Sequence, residues 1–124
     1  VGAHVPLAAG MAFAAKYRDE DRVTLCFFGD GAINQGGFHE ALNLAGLLKL
    51  PVVFICENNL FAMGTSVKRS TSLKQIVDRA EGYDIPGEIL DGMNFREVRD
   101  KLAEVIASIR KNSHPAFIEI RTYR

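Results

Sequence analysis

The sequence predicts an α/β fold of three layers, in which a mostly parallel sheet has helices on both faces. Two short apolar runs, residues 23–28 and 52–56, indicate buried strands, and the segment between them has helical spacing. Such a connection makes the two strands parallel and brings their carboxyl ends to one edge of the sheet. Residues 116–120 form a third apolar run after a further helical segment. The chain of 124 residues is therefore expected to form one domain, residues 1–124.

Small polar clusters follow the first two predicted strands. Gly29-Asp30-Gly31 comes after the first strand, and Asn58-Asn59 comes after the second. The carboxyl edge of an open parallel sheet is where such folds bind ligands. One carboxylate and one or two carboxamides supply oxygen donors, which suit Mg²⁺ when a bound phosphate completes its coordination. The two clusters therefore predict a site for a diphosphate and a metal ion.

The Gly-Asp-Gly cluster is also compatible with structures other than a diphosphate and metal site. Asp and Gly also suit an ordinary turn, so it is the pairing with Asn58-Asn59 that favours a ligand site. Main-chain N–H groups of Gly31 and Ala32 precede a helix, where oriented amides favour an anionic phosphate. The cluster is neither a Walker loop, since no Gly-Lys-Ser/Thr follows, nor a dinucleotide fingerprint, since the third glycine is missing.

A predicted helix lies on each side of the first strand. Pro6 begins a helix of small residues over 7–16, because proline is tolerated in a first turn and alanine favours helix. The second helix is predicted over 37–49. Its apolar face is expected to consist of Phe38, Ala41, Leu42, Ala45 and Leu48.

The second half of the chain has weaker signals until its last helix. Residues 60–72 predict a polar loop over the site, followed by a short helix over 73–83 and a short strand over 88–90. The last helix shows a clear 3.6-residue period. Asn94 is expected to cap it, with Glu97 as the capping-box partner.

Composition excludes several classes of function. The formal net charge is zero, from 15 basic and 15 acidic residues, so no nucleic-acid partner is expected. The apolar runs are too short to span a membrane. Cys26 and Cys56 lie within the predicted strands, which favours buried, reduced thiols over a redox or metal pair.

No catalytic residue can be assigned from the sequence. It contains no recognisable Ser/His/Asp or Cys/His arrangement and no evident pair of acid and base. His39 is interpreted as a surface or interface residue, and His4 as either a residue that lines a cleft or a structural histidine. A cofactor or a second chain would have to supply most of the chemistry.

The two clusters and the residues around them match a known signature. They lie in the stretch GDGAINQGGFHEALNLAGLLKLPVVFICENN. This stretch resembles the alpha subunit of the decarboxylating component of 2-oxo-acid dehydrogenase complexes, a family that uses thiamine diphosphate. The resemblance covers essentially the whole chain and implies the thiamine-diphosphate-binding fold. The segment Met63-Gly64-Thr65-Ser66 is most similar to the pyruvate branch.

The resemblance also implies roles for individual residues. Side-chain oxygens of Asp30 and Asn59 and the main-chain carbonyl of Phe61 would bind Mg²⁺. The residues implied in cofactor binding are Val1, Gly29, Asp30, Gly31, Ala32 and Asn59. Ser66 matches a position that is phosphorylated in some relatives, although an ordinary loop serine is the favoured interpretation.

The implied activity is oxidative decarboxylation of a 2-oxo acid, pyruvate above others, with transfer of the acyl group to a lipoyl disulfide. In this family the alpha chain binds the diphosphate half of the cofactor, a beta chain contributes a glutamate on the pyrimidine side, and a lipoyl-bearing acyltransferase core accepts the acyl group. An oligomer is expected. The compartment would be the bacterial cytoplasm, or a mitochondrial matrix or plastid.

Other functions are also compatible with the sequence. Acetoin dehydrogenase, a branched-chain 2-oxo-acid dehydrogenase and a transketolase-like synthase are the other enzymes considered. The remaining alternative is a domain that binds a cofactor or a partner protein and has no catalytic activity. Family segments on both sides of residues 1–124 are missing, which predicts the core of a longer subunit that is inactive by itself.

Overall fold

A parallel sheet forms the centre of the molecule. The structure is a computed structural model that describes residues 1–124. The strands are β1 (Thr24–Gly29), β2 (Val52–Asn58), β3 (Phe61–Ala62), β4 (Thr65–Ser66), β5 (Gly87–Asp91) and β6 (Ala116–Arg121). The helices are α1 (His4–Tyr17), α2 (Gly36–Leu48), α3 (Val67–Ser70), α4 (Asp78–Glu81) and α5 (Phe95–Lys111), with a 3₁₀ helix at Asp30–Asn34. The sheet order is β1-β2-β6-β5, and β3 and β4 form a separate hairpin.

All four strands of the main sheet are parallel, which confirms the predicted sheet. Gly29 at the end of β1 is level with Glu57 of β2, and Asn58 at the end of β2 is level with Arg121 of β6. Three strands therefore end side by side at one edge. The two polar clusters of the sequence follow two of these strand ends.

Helices cover both faces, so the three layers are also confirmed. On one face α1 and α2 enclose the larger core, where Phe38 packs edge-to-face on Phe28 and Phe117 at ring separations of 5.6 and 6.2 Å. On the other face α5 packs its apolar side over Ile55 and Ile118. No helix of the structure combines the length and apolarity that a membrane crossing needs.

The cap of α5 is confirmed, with one difference. Asn94 Oδ1 accepts a hydrogen bond from the Glu97 N–H at 3.2 Å. The Glu97 carboxylate does not return to the Asn94 main-chain N–H, because that group donates to the Asp91 carbonyl at 3.0 Å. The Glu97 carboxylate accepts instead from the Asp91 N–H at 3.1 Å, and this hydrogen bond joins β5 to α5.

Several predicted boundaries were wrong. α1 begins at His4, so Pro6 is its third residue, where a missing N–H costs no helical bond. The helix predicted over 73–83 is only the single turn α4. Ahead of α4, the Val77 N–H donates to the Glu119 side chain at 3.0 Å and makes no helical hydrogen bond.

Two other predictions change in detail. The loop predicted over 60–72 contains the β3–β4 hairpin and α3. On α2 the buried face includes Gly46 and leaves Leu48 39% exposed, because the Tyr83 carbonyl packs against the Gly46 backbone. A Cβ at position 46 would lie 2.4 Å from that carbonyl oxygen. The face of α2 is therefore turned toward residues that follow α4.

Candidate functional site

Asp30 is the buried acid at the edge where the strands end. It directly follows β1 and begins the 3₁₀ helix Asp30–Asn34, which we call the Asp30 turn. Only 4% of its surface is exposed, and this burial raises the pKa of the Asp30 carboxyl. Main-chain N–H groups of Asp30 and Asn59 and the Arg124 guanidinium lower that pKa and partly oppose the effect of burial. Because burial disfavours the ionised form of a carboxyl group, a bound cation stabilises that form strongly.

The two asparagines at the end of β2 have different surroundings. Asn58 is buried and donates from Nδ2 to Glu119 at 2.9 Å, while its Oδ1 accepts from the Leu60 N–H at 3.0 Å. Asn59 is half-buried, and its Oδ1 accepts from the Phe61 N–H at 3.0 Å. Asn58 therefore holds the turn, and the main-chain N–H of Asn59 acts on the Asp30 carboxyl.

Leu60, between these residues, has an unusual backbone conformation. Its φ is 72°, in the left-handed region that large side chains seldom adopt. Such strain persists only where surrounding contacts impose it, and it is found preferentially at functional sites. Here the conformation is held by the Leu60 and Phe61 N–H groups, which donate to the side-chain oxygens of Asn58 and Asn59. The strained turn therefore agrees with a site at this position.

Strands β3 and β4, residues 61–66, form what we call the site hairpin, which packs on the Asp30 turn. A Cβ at Gly31 would lie 2.6 Å from the Ala62 Cβ, so only glycine allows this contact. Gly29 is exposed, and a Cβ there would meet nothing within 4 Å. Ser66 ends the hairpin, half-buried. Gly31 is thus required by packing, whereas Gly29 faces open space.

The remaining predicted residues surround the same edge. The Phe61 carbonyl accepts from the Arg124 guanidinium at 3.5 Å and retains a second lone pair. The Ala32 side chain is buried, so only its main chain is able to line a ligand. Val1 is fully exposed, and a Cβ at the adjacent Gly2 would lie 3.7 Å from the Ala32 Cβ. The chain's first residues therefore lie next to the Asp30 turn.

The site edge includes a cavity of about 440 Å³. It is lined by Asn59, Leu60, Phe61, Met63, Gly64, Thr122, Tyr123 and Arg124. No group of three or more His, Cys, Asp or Glu side chains is placed to hold a metal ion. The oxygen groups at this edge are the Asp30 carboxylate, the Asn59 amide and the Phe61 carbonyl.

Glu119 is a residue of this region that the sequence interpretation missed. It is fully buried in β6 and accepts from Asn58 Nδ2, the Val77 N–H at 3.0 Å and Arg121 Nε at 3.2 Å. The sequence feature that could have indicated its role is an acidic residue inside the apolar run 116–120. Buried charges need such partners, so Glu119 fixes the end of β2.

The two cysteines are buried and unpaired. Burial raises the pKa of the Cys26 thiol to about 11. Burial and then the carboxylates of Glu119, Asp30 and Glu57 raise the pKa of Cys56 further. Neither thiol is a nucleophile near neutral pH.

Comparison with known proteins agrees with this geometry. Residues 1–124 match the family described as the dehydrogenase E1 component. The chain is 47% identical over 124 residues to the pyruvate dehydrogenase E1 component subunit alpha of Rickettsia typhi and spans 38% of it. It is 42% identical over 130 residues to the chloroplastic subunit alpha-3 of Arabidopsis thaliana and spans 30% of it. The transketolase of Campylobacter jejuni has a similar structure, with a TM-score of 0.86 at 26% identity over 98% of this chain and 20% of that one.

Proposed function

The chain belongs to the dehydrogenase E1 component family, and we propose that it binds thiamine diphosphate with Mg²⁺ within a pyruvate-decarboxylating alpha subunit. The observation that carries this proposal is the buried Asp30 carboxylate, which lies with Asn59 at the carboxyl edge of the parallel sheet. The whole-length family match and the 47% identical R. typhi subunit support it. Because the chain spans 38% of that subunit, activity, substrate and partners are parts of the proposal.

The residues present fit the cofactor and its metal. Asp30, the Asn59 amide oxygen and the Phe61 carbonyl would hold Mg²⁺, and the main chain of Gly29, Gly31 and Ala32 would line the diphosphate. When bound, thiamine diphosphate supplies the nucleophilic carbon and the electron sink that decarboxylation of a 2-oxo acid requires. The chain's own contribution is to bind and orient the diphosphate half.

Other chains complete the activity in this proposal. No catalytic acid or base is assigned to this chain in the proposal, and the catalytic groups would come from a beta subunit. A lipoyl-bearing acyltransferase core would accept the acyl group, which makes the enzyme an oxidoreductase with a disulfide acceptor. The assembly would be oligomeric, in the bacterial cytoplasm, a mitochondrial matrix or a plastid.

Substrate turnover tests the activity part of the proposal. The intact protein with its partner subunit is supplied with Mg²⁺, thiamine diphosphate and an artificial electron acceptor. Pyruvate is expected to be oxidised faster than acetoin or branched-chain 2-oxo acids. Preference for acetoin or a branched-chain acid would replace the substrate assignment, and sugar-phosphate transfer would indicate a transketolase-like synthase. Cofactor binding without any turnover would leave a binding domain.

Asn59→Ala is expected to weaken Mg²⁺-dependent cofactor binding at least about tenfold, because it removes one oxygen donor from the ion. Asn59→Asp, which keeps an oxygen at that position, should retain more affinity than the alanine variant. The affinities are measured by calorimetric titration of the intact complex. Asn112→Ala, at the exposed end of α5, is the control. Equal affinities for Asn59→Ala and the control would remove Asn59 from the site.

A matched pair of glycine variants separates packing from ligand contact. Gly31→Ala is expected to destabilise the cofactor-free protein by about 1–3 kcal/mol, since its Cβ would clash with Ala62. Gly29→Ala should leave that stability nearly unchanged, because its Cβ meets open space, yet reduce affinity for the cofactor. Urea unfolding and calorimetric titration measure the two effects. A Gly29→Ala protein with normal affinity would show that Gly29 does not line the diphosphate.

A further inference from the structure

Arg79 reaches from α4 to the end of the Asp30 turn. Its Nη1 donates to the Ile33 carbonyl at 3.1 Å, and its Nη2 donates to Asn34 Oδ1 at 3.0 Å. These acceptors belong to the last two residues of the turn. The guanidinium therefore holds the turn from the side where α2 begins, with planar donors that reach several acceptors at once.

His39 holds Arg79 in this position. Its Nε2 lies 3.0 Å from Arg79 Nη1, and a guanidinium only donates, so Nε2 must accept. The proton of the neutral ring is then on Nδ1, which donates to the Tyr83 hydroxyl at 2.7 Å. Burial first, and then the charge of Arg79, lower the pKa of His39, which agrees with the neutral ring.

Arg79 belongs to the segment of residues 76–85, which is also linked to the Asn58-Asn59 end of β2. The Val77 N–H donates to Glu119 Oε2 at 3.0 Å, and Glu119 Oε1 accepts from Asn58 Nδ2 at 2.9 Å. The segment also packs directly on α2, where the Tyr83 carbonyl meets Gly46. One segment thus contacts the Asp30 turn directly and is linked to the end of β2 through Glu119.

We propose that Arg79 is a positioning residue for cofactor binding, through which the segment 76–85 keeps the Asp30 turn in register with the Asn58-Asn59 end of β2. Arg79 donates to Ile33 and Asn34 of the turn, so it acts by ordering the turn before binding. This inference rests on the proposed cofactor site. The competing interpretation is that Arg79 only adds stability to the fold.

Two readouts distinguish these interpretations in the intact protein with its partner subunit. The first is the Kd for thiamine diphosphate with Mg²⁺, and the second is amide hydrogen exchange of residues 31–35 without cofactor. Arg79→Met is compared with Ile109→Ala or Ile109→Val, whichever matches its loss of Tm. Ile109 is buried on the opposite face of the sheet, away from the site.

Arg79→Met is expected to weaken cofactor binding by about tenfold or more and to accelerate exchange over 31–35, as loss of groups that orient ligands does elsewhere. Arg79→Lys should not restore affinity, because one ammonium cannot reach acceptors on Ile33, Asn34 and His39 together. The Ile109 variant should change neither readout. The effect of Arg79→Met should shrink in a His39→Phe background, since the two residues act as a pair.

Each possible outcome is decisive. Equal affinity and exchange in the Arg79→Met and matched Ile109 proteins would show that Arg79 is only structural. Full rescue by Arg79→Lys would show that charge, and not the reach of the guanidinium, matters. If the unmodified protein binds no cofactor, the proposed function fails, while faster exchange at 31–35 in Arg79→Met would still show that Arg79 orders the turn.

Discussion

Asp30→Asn is expected to abolish Mg²⁺-dependent binding of thiamine diphosphate, by at least about a hundredfold, and to stabilise the metal-free protein at pH 7. The loss of binding follows because the variant removes the only carboxylate of the proposed donor set. The gain in stability follows because burial penalises the ionised carboxyl. Opposite effects on binding and stability are characteristic of a functional residue.

The pH dependence of this stability has a definite sign. The pKa of the Asp30 carboxyl is raised in the folded protein, so its favourable contribution is complete below the unfolded pKa, near 4, and is lost as pH rises through the folded pKa. The advantage of Asp30→Asn should therefore be small at about pH 4 and grow above that pH. Mg²⁺ should reduce the advantage by stabilising the charged form of the native protein.

Thermal unfolding in EDTA between about pH 4 and pH 7 measures the stability difference between Asp30→Asn and the unmodified protein. Calorimetric titration measures cofactor binding. Asp100→Asn is the control, because Asp100 lies on an exposed surface of α5. We expect the control to retain both affinity and Tm. An Asp30→Asn protein that is less stable than the unmodified protein at pH 7 would contradict the electrostatic account. One that keeps its Mg²⁺-dependent affinity would contradict the site.

Glu119→Leu is expected to lower the free energy of unfolding by about 3–5 kcal/mol, a large part of a typical domain's stability. Leucine fills a similar volume, but it leaves the Asn58 amide and the Val77 N–H without their acceptor. Replacing a whole buried polar group by apolar residues can be neutral, whereas removing one partner is not. Here the donors stay, so the cost is large.

Urea unfolding of the intact protein measures this cost. Glu119→Gln, which keeps one acceptor oxygen, should lose less stability than Glu119→Leu. Glu104→Leu, with a side chain that is 71% exposed, should change the free energy by less than about 0.5 kcal/mol. A loss below about 1 kcal/mol for Glu119→Leu would show that its hydrogen bonds do not hold the end of β2.

The sheet and its functional edge could be predicted because their signals are local. Apolar runs with β-branched and aromatic residues mark β1 and β2, and the helical spacing between them fixes the parallel direction. The strands end slightly later than the apolar runs, at Gly29 and Asn58, since the ladder continues into the polar clusters. The candidate site therefore begins inside the sheet.

Contacts between distant parts of the chain could not be predicted in this way. His39 was interpreted as a surface or interface residue, yet it is half-buried between Arg79 and Tyr83, which lie about forty residues further along the chain. Glu119 stands in an apolar run, and only the folded structure shows its donors. Spacing within one helix or strand carries no information on such pairs.

Calorimetric titration of thiamine diphosphate into the intact protein, with Mg²⁺ or with EDTA, tests the central claim most directly. We predict saturable binding with Mg²⁺, its loss in EDTA, and its loss in Asp30→Asn at every Mg²⁺ concentration that supports the unmodified protein. Binding of equal strength in EDTA, or in Asp30→Asn, would contradict a metal-linked diphosphate site at the carboxyl ends of β1 and β2.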